Sequence, residues 1–411
     1  DHEGTWIEKN VGIGHTRLSI IDLSSAGNQP MISKNKRFIL SYNGEIYNYK
    51  QLRSLLTAKG FQFNSNTDTE VVLNSLIYWG SEAISKFNGM FALAFWDREE
   101  KKLLLARDRY GIKPLYFSEE QNYFSFGSEQ KAILANYKCN KKINEEALLE
   151  YFTFQNIFTD QTFFKNIKII QPGFYKILKF EDNKIKSFID IQYWDYQFNQ
   201  DNSIKNNKSY LDELQSLFEQ AIYNNLISDV EIGSYLSGGV DSGTITAITK
   251  NKFSNLKTFT CGFDLSSASG IELSYDERDK ARLMSNIFKT DHFEFVLKSG
   301  DMEKCLDKLV WHLEEPRVGQ SYPNFYASKL ASKHVKVVLS GTGGDELFGG
   351  YPWRYYHSAN SQNFEDYIDN YYLYWQRLIN NIDIKELFSP IWNNVKDVWT
   401  RDIFKNVFKN H

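Results

Sequence analysis

The sequence is poor in cysteine, in charge of one sign and in long apolar runs, and each shortage removes a class of protein. Three cysteines, Cys139, Cys261 and Cys305, are too few and too far apart for a disulfide framework or a zinc site. The seven histidines show no ligand spacing. A formal net charge of -3 lacks the basic excess that nucleic-acid binding calls for. No apolar run reaches membrane-spanning length, and the opening Asp1-His2-Glu3 does not read as a signal peptide. These shortages predict a reducing, cytoplasmic setting with neither nucleic acid nor membrane as partner. What is present is ordinary for a globular protein: 42% apolar and 24% charged residues. At 411 residues the chain is long for one core, which predicts two domains.

The stretch Tyr235-Leu236-Ser237-Gly238-Gly239-Val240-Asp241-Ser242 ends a short apolar run and precedes helix-compatible residues. It reads as strand, tight glycine turn and helix. Adjacent glycines let the backbone approach a ligand, and the N-terminal dipole of the helix favours an anion, phosphate above all. Asp241 would repel that phosphate unless a divalent cation lay between them, so the string predicts Mg2+ with a nucleotide. No Lys follows the glycines, which excludes the Walker A loop. A bare Gly-Gly turn reads equally as an ordinary connection; the full Ser-Gly-Gly-x-Asp-Ser string argues against that. It resembles the pyrophosphate loop of the N-type ATP pyrophosphatases, which cleave ATP between the α and β phosphates to adenylate an acceptor.

Around this loop strand and helix patterns alternate from Glu231 to Leu339, predicting an α/β, doubly wound, mostly parallel sheet with ligands beyond the carboxyl ends of its strands. A second glycine-rich string, Ser340-Gly341-Thr342-Gly343-Gly344-Asp345-Glu346-Leu347-Phe348-Gly349-Gly350-Tyr351, falls at another strand end. Asp241 and Asp345 then fit one Mg2+ between the phosphates.

The first half, from Gly12 to about Asp195, reads as α+β. Strands are predicted over Gly14–Ile21, Phe38–Tyr42, Met90–Trp96, Leu103–Ala106, Leu115–Phe117 and Tyr123–Phe126, with helices over Tyr49–Lys59 and Glu70–Trp79. Arg17 carries a fork that can grip a carboxylate. Asn43-Gly44-Glu45 ends a strand, offering an amide and an unhindered N–H to an oxyanion. Asp68 opens a helix. Singly, a surface ion pair, a hairpin turn and an N-cap explain these residues as well or better; jointly those explanations weaken.

Together with Leu105-Ala106-Arg107-Asp108-Arg109-Tyr110-Gly111-Ile112-Lys113-Pro114 and Phe126-Gly127-Ser128-Glu129, these strings resemble the N-terminal-nucleophile glutaminase domain of the asparagine synthase family. The resemblance implies an αββα glutaminase domain over residues 1–198, a polar linker over 199–208, and an ATP pyrophosphatase-type synthetase domain over 209–411. It implies Asn43 and Gly44 at the oxyanion, Arg17 on the glutamine α-carboxylate, and Glu45 with Asp68 on the α-amino group. It further implies ATP contacts from Leu236, Ser237, Gly238, Gly239, Asp241, Ser242, Cys261, Ser340 and Gly341, and metal contacts from Asp241 and Asp345. ATP and Mg2+ are the implied cofactors; glutamine and aspartate, or another carboxylate, the implied substrates; a homodimer the implied assembly. Ammonia would travel between the sites to an acyl-adenylate.

Two departures modify the expectation. The family's nucleophile is an N-terminal Cys, and none occurs before Cys139. The chain is therefore expected to be a fragment lacking both ends and not to hydrolyse glutamine by itself. Thr342 stands where asparagine-forming members commonly carry Glu or Asp, which opens a different acceptor, a sugar acid or other metabolite, or a regulatory homologue. Glu314-Glu315-Pro316 resembles the family's acidic pair before proline, with helix capping as the plain alternative.

Overall fold

Alternation along Phe38–Ile46 sends Ile39 to one face of a strand and Leu40, Tyr42 and Ile46 to the other, and all four are buried. The strand is therefore covered on both sides, and the computed structural model shows by what. It describes residues 1–120, 123–136, 139–182, 184–198, 207–266, 276–317 and 321–409.

Strands β1 (His2–Glu8) and β2 (Val11–Arg17) form a hairpin. There follow β3 (Met31–Ile32), β4 (Phe38–Ile46), α1 (Tyr49–Ala58), α2 (Asp68–Trp79), α3 (Ala83–Lys86), β5 (Gly89–Asp97) and β6 (Lys102–Arg107). Next come β7 (Tyr116–Glu120), β8 (Tyr123–Gly127), α4 (Gln130–Leu134), α5 (Glu145–Phe154), β9 (Ile167–Ile169), β10 (Phe174–Glu181) and β11 (Lys184–Gln192). A six-stranded antiparallel sheet has the order β11-β10-β6-β5-β4-β3, and a smaller one the order β8-β7-β9. Between them, with β2, lies a core of Ile13, Ile39, Ala92, Ala94, Leu105 and Phe117. α2 lies on β4 on the outer side of the large sheet, and α4 lies on β7 and β8. The layering is αββα, as expected. β5 reads Phe-Ala-Leu-Ala-Phe-Trp without polar alternation because both its faces are covered. Each large side chain so buried contributes ~1.5–3 kcal/mol.

Two expectations are corrected here. β1, whose residues are only half-buried in alternation, gave no apolar signal and was not expected. The strand expected over Gly14–Ile21 stops at Arg17, because the chain turns back through Asp22 at φ +53 and the Arg17 guanidinium binds the carbonyls of Ile21, Asp22 and Ser24.

Residues 207–354 build the second architecture: α6 (Asn207–Asn225), β12 (Ile232–Tyr235), α7 (Val240–Lys250), β13 (Lys257–Phe263), α8 (Arg278–Phe288), β14 (Asp291–Leu297), α9 (Asp301–Leu313), α10 (Ser321–Ala331), β15 (Val337–Leu339) and α11 (Gly344–Phe348). All pairings are parallel and the order is β14-β13-β12-β15. α6 and α7 bury Ile222, Leu226, Ile232 and Ile245 on one face, while α10 buries Phe259, Ala331 and Val335 on the other. The sheet is doubly wound, as expected. Of the expected linker, residues 199–206 lie outside the described residues, and α6 starts at Asn207.

The last helices, α12 (Phe364–Trp375), α13 (Asn381–Leu387), α14 (Trp392–Val395) and α15 (Thr400–Asn406), do not join that sheet. Residues 355–411 form one compact unit with residues 1–200, and residues 201–354 form the other. Compaction thus divides the chain differently from the 209–411 boundary. The cause is aromatic: the Phe154 ring of α5 meets Tyr372 at 6.0 Å and Phe404 at 6.2 Å between centroids. Among the described residues, no helix is long and apolar enough to cross a membrane.

Candidate functional site

β12 and β15 are parallel neighbours, with Ser234 opposite Leu339, so the two glycine loops leave the same edge of the sheet side by side. From β12 the order runs through β13 and β14 one way and to β15 the other. That is the switch point where such sheets bind ligands. In the first loop Gly238 has φ +82, and a Cβ there would lie 2.4 Å from Cβ of Lys280. Gly239 caps α7 without a side chain, leaving the first-turn N–H groups without intrahelical acceptors. The Ser237 and Ser242 hydroxyls lie 3.0 Å apart, and the Ser237 hydroxyl accepts from Gly239 N–H at 3.3 Å.

The second loop meets the first through glycines. A Cβ on Gly341 would lie 2.8 Å from Ser242 N, and one on Gly344 would lie 2.4 Å from a carboxylate oxygen of Asp241. Burial first, then Asp345 and Glu346, push the Asp241 carboxyl up, while the Asp345 N–H donates to it. No basic group is among these influences. Among the described residues no three His, Cys, Asp or Glu side chains gather as a metal site. Two carboxylates beside a phosphate cradle are what Mg2+ takes from a protein, with phosphates and water completing its shell. Asp241 and Asp345 fit the ion in that role.

Other expected residues are distributed around this site. Leu236 is buried, donates to the Phe259 carbonyl at 3.0 Å and accepts from the Thr260 hydroxyl, so its backbone continues the sheet. The half-buried Cys261 thiol is pushed up to about 12 by burial and packs near Tyr326 and Leu297. The Ser340 and Thr342 hydroxyls pair at 2.9 Å on the exposed rim. Glu314 ends α9 at φ +60 and Glu315 pairs with Arg317 at 3.0 Å; neither acts on Asp241. Glu277, which accepts from Ser237, and Lys280 were not singled out from sequence, because α8 reaches Gly238 only through the fold.

In the first unit, β2, β4, β5 and β8 border a cavity of about 1160 Å³. Glu45 and Asn43 are on the face of β4 that carries Ser41, whose hydroxyl meets His15 of β2 at 3.2 Å. Phe91, opposite Gly44, gives its N–H to the Asp108 carboxylate at 3.1 Å and its carbonyl to Asp108 N–H at 2.8 Å. Gly44 and Phe91 are thus a non-hydrogen-bonded pair, and the Gly44 N–H points off the other edge of β4. Along that edge the Tyr42 N–H is taken by Gln29 at 2.7 Å and the Ile46 N–H by Asp68 at 3.0 Å. Gly44 N–H lies between them with no acceptor among the described residues. A Cβ on Gly44 would lie 2.2 Å from the Met90 carbonyl, so the close strand pairing also requires glycine.

Glu45 has a buried carboxylate oxygen without a partner, and its carboxyl is pushed up to about 7 by burial, then by Asp68, against Lys113. Asp68 is buried and pushed up likewise; it accepts from the Tyr42 hydroxyl at 2.8 Å. The N-cap of α2 is Thr67, not Asp68. Arg17 borders the cavity, but its terminal nitrogens hold the following loop, donating to Ser24 at 2.7 Å and Asp22 at 2.5 Å among others. The Arg107-Asp108 string is architectural: Asp108 is wholly buried and accepts from the N–H groups of Phe91, Tyr110, Ile112 and Lys113.

Residues 1–194 match the glutamine amidotransferase domain family and residues 213–408 match asparagine synthase. A Methanocaldococcus jannaschii protein, provisionally assigned as a second glutamine-hydrolysing asparagine synthetase, is 34% identical over 374 residues, 85% of this chain and 70% of that protein. The chain belongs to the asparagine synthase family. Another family member, asparagine synthetase (glutamine-hydrolysing) 1 of Bacillus subtilis, is 35% identical over 353 residues, 85% of this chain and 53% of that protein. The chain thus spans little more than half the length of that relative. Amidase chry2 of Gibberella zeae is 29% identical over 376 residues, 85% of this chain and 53% of that protein. Among solved structures, glutamine phosphoribosylpyrophosphate amidotransferase of Bacillus subtilis is 16% identical with a TM-score of 0.32, over 60% of this chain and 50% of that one.

Proposed function

We propose that the protein containing this chain is a glutamine-dependent, asparagine-synthase-type ligase, with aspartate as the first acceptor to test. One observation carries the reading: the glycine loops after β12 and β15 abut so closely that Gly344 has room for no more than hydrogen beside the Asp241 carboxylate. Such a junction supports one shared phosphate and metal site.

On this reading Ser237, Gly238, Gly239 and Ser242 bind the pyrophosphate half of ATP on the N–H groups of α7. Ser340 and Gly341 close the opposite side, and Leu236 and Cys261 border the adenosine. Asp241 and Asp345 would hold Mg2+, which when bound offsets the negative charge of the departing pyrophosphate. The acceptor carboxylate attacks the α-phosphorus and pyrophosphate leaves. Ammonia then displaces AMP from the acyl-adenylate, giving asparagine where the acceptor is aspartate. In the first unit the Asn43 amide and the open Gly44 N–H suit an oxyanion formed from glutamine. Glu45 and Asp68 suit the α-amino group. Both terminal nitrogens of Arg17 hold the 21–28 loop, so gripping the α-carboxylate with the whole fork would release carbonyls there. A cytoplasmic setting and a homodimer belong to the same proposal.

Thr342 favours a second reading, amidation of another carboxylate, because its hydroxyl is held by Ser340 and offers no acid or base at the rim. The test is the whole protein with ATP, Mg2+, ammonia and a panel of carboxylates. Acceptor-dependent pyrophosphate release is expected, with aspartate or with another acid deciding between the readings. No release with any acid ends both.

A further inference from the structure

No lysine follows Gly238-Gly239 in the sequence, yet the fold brings one against that turn. Lys280 is the third residue of α8, and a Cβ on Gly238 would lie 2.4 Å from the Lys280 Cβ and 3.2 Å from Ala281 N. The first turn of α8 therefore rests directly on the glycine. Three cations stand in the first five residues of this helix, and two of them are engaged. Arg278 donates to Asp276 at 2.9 Å and to the Phe263 carbonyl at 2.7 Å, and Arg282 holds Glu294 through two contacts of 2.6 Å. Lys280 is exposed, and its ammonium makes no hydrogen bond and no ion pair within 4 Å among the described residues. Burial pushes the carboxyl of Glu277 up, and the charge of Lys280, one turn further along the helix, opposes that. A cation in a first turn stands against the helix dipole, so this position does not favour lysine for the sake of the helix. On the other loop the neighbours that act on Asp241 are Asp345 and Glu346, with no cation among them.

We propose that Lys280 is a phosphate ligand of the nucleotide: from its seat against Gly238 the ammonium binds the β- and γ-phosphate oxygens of ATP and the pyrophosphate that leaves. The inference rests on the proposed ATP site and adds to it a cation supplied by the protein. A lysine ammonium is a compact charge on a flexible four-carbon stem, so a stem that starts beside Gly238 can carry the charge to an anion on the N–H groups of the turn. In a Walker A loop the lysine comes from the loop itself; here α8 supplies it from across the fold. Negative charge grows on the β-phosphate as the α–β bond breaks, and a cation already in place holds the leaving group more tightly at that moment. AMP carries neither of these phosphates, so the contact distinguishes the two nucleotides.

The test is calorimetric titration of the whole protein in Mg2+ with α,β-methylene-ATP and, separately, with AMP. Wild type, Lys280→Met and Lys280→Arg are compared, with the thermal midpoint of each. Lys280→Met keeps most of the stem and removes the charge. Its dissociation constant for α,β-methylene-ATP is expected to be ~10-fold higher, the loss of one charged hydrogen bond, with that for AMP within about twofold of wild type. Lys280→Arg is expected to recover most of the affinity, and the gap between wild type and Lys280→Met to narrow as salt is raised. Lys280→Gln serves should Lys280→Met not fold. Wild-type affinity for α,β-methylene-ATP in Lys280→Met, equal weakening of both nucleotides, or a Lys280→Arg protein no better than Lys280→Met overturns the proposal. If wild type does not bind α,β-methylene-ATP more tightly than AMP, the phosphate site itself is wrong, a result separate from the failure of Lys280 alone.

Discussion

The side-chain amide of Gln29 pairs with both backbone groups of Tyr42, accepting from its N–H at 2.7 Å and donating to its carbonyl at 2.9 Å. It thereby acts as one residue of an added strand and closes the edge of β4 just before Asn43-Gly44. Both residues are buried, so removing the amide leaves a donor and an acceptor without water. Gln29→Leu is expected to lower unfolding stability by about 2 kcal/mol or more, each orphaned group contributing ~1–3 kcal/mol. Urea denaturation of the two proteins measures it, and a change below ~0.5 kcal/mol, the range of an ordinary surface substitution, would show that the edge is sealed otherwise.

Glu45 gives stability a pH dependence of defined sign. Its folded value, about 7, is above its ordinary 4.5, so the fold favours the protonated acid. That contribution is complete below 4.5 and is lost as pH rises through 7. Glu45→Gln stays neutral throughout. It is expected to be the more stable protein at pH 8, by on the order of 3 kcal/mol at most. The advantage should vanish near pH 4. Parallel urea titrations at the two pH values decide; a difference independent of pH refutes the buried-acid account.

What the sequence made legible, and what it did not, follows the range of the interactions. The glycine pairs at Gly238 and Gly343 announce turns, and alternation along β12 to β15 announces a wound sheet, because both signals are local. That Gly341 and Gly344 touch Ser242 and Asp241 depends on β15 lying beside β12, which no local pattern states. Gln29 and Glu277 escaped notice for the same reason. Arg17 was legible as a special residue but not in its present use, since its acceptors are carbonyls, which carry no side-chain signature. Tyr372 of α12 meets Phe154, which stands more than two hundred residues earlier, and that contact too has no local signature.

Gly344→Ala tests the junction of the two loops. The added methyl would meet both carboxylate oxygens of Asp241, at 2.4 and 2.9 Å, and has to displace them. Binding of α,β-methylene-ATP with Mg2+, read by calorimetry, is expected to weaken at least ~10-fold, about 1.4 kcal/mol. Overpacking at one loop position is expected to take ~1–3 kcal/mol from stability, leaving a folded protein to titrate. Unaltered nucleotide affinity would separate Gly344 from the phosphate site.

Asp241→Asn tests the separation of the two chemistries. Its carboxyl is gathered with Asp345 and Glu346 in residues 201–354, while Asn43, Gly44, Glu45 and Asp68 belong to residues 1–200. In the whole protein the substitution is expected to abolish acceptor-dependent pyrophosphate release and to leave glutamine hydrolysis standing. Loss of both activities together would argue against two sites.

Thr342 is where acceptor choice becomes testable. Its hydroxyl bonds that of Ser340 at 2.9 Å, and its own N–H donates to the same oxygen at 3.3 Å, so the side chain shapes the rim without reaching the Asp241 carboxylate. Thr342→Ala removes one exposed hydroxyl and is expected to leave stability within ~0.5 kcal/mol and the ATP KM within about twofold. If this position contacts the acceptor, the ratio of kcat/KM between two carboxylates should shift by about fivefold to tenfold, the equivalent of one hydrogen bond of ~1–1.5 kcal/mol. Competition between the two acids in one reaction gives the ratio directly. An unchanged ratio with an altered ATP KM would move Thr342 from acceptor choice to the phosphate loop, where Ser340 already stands.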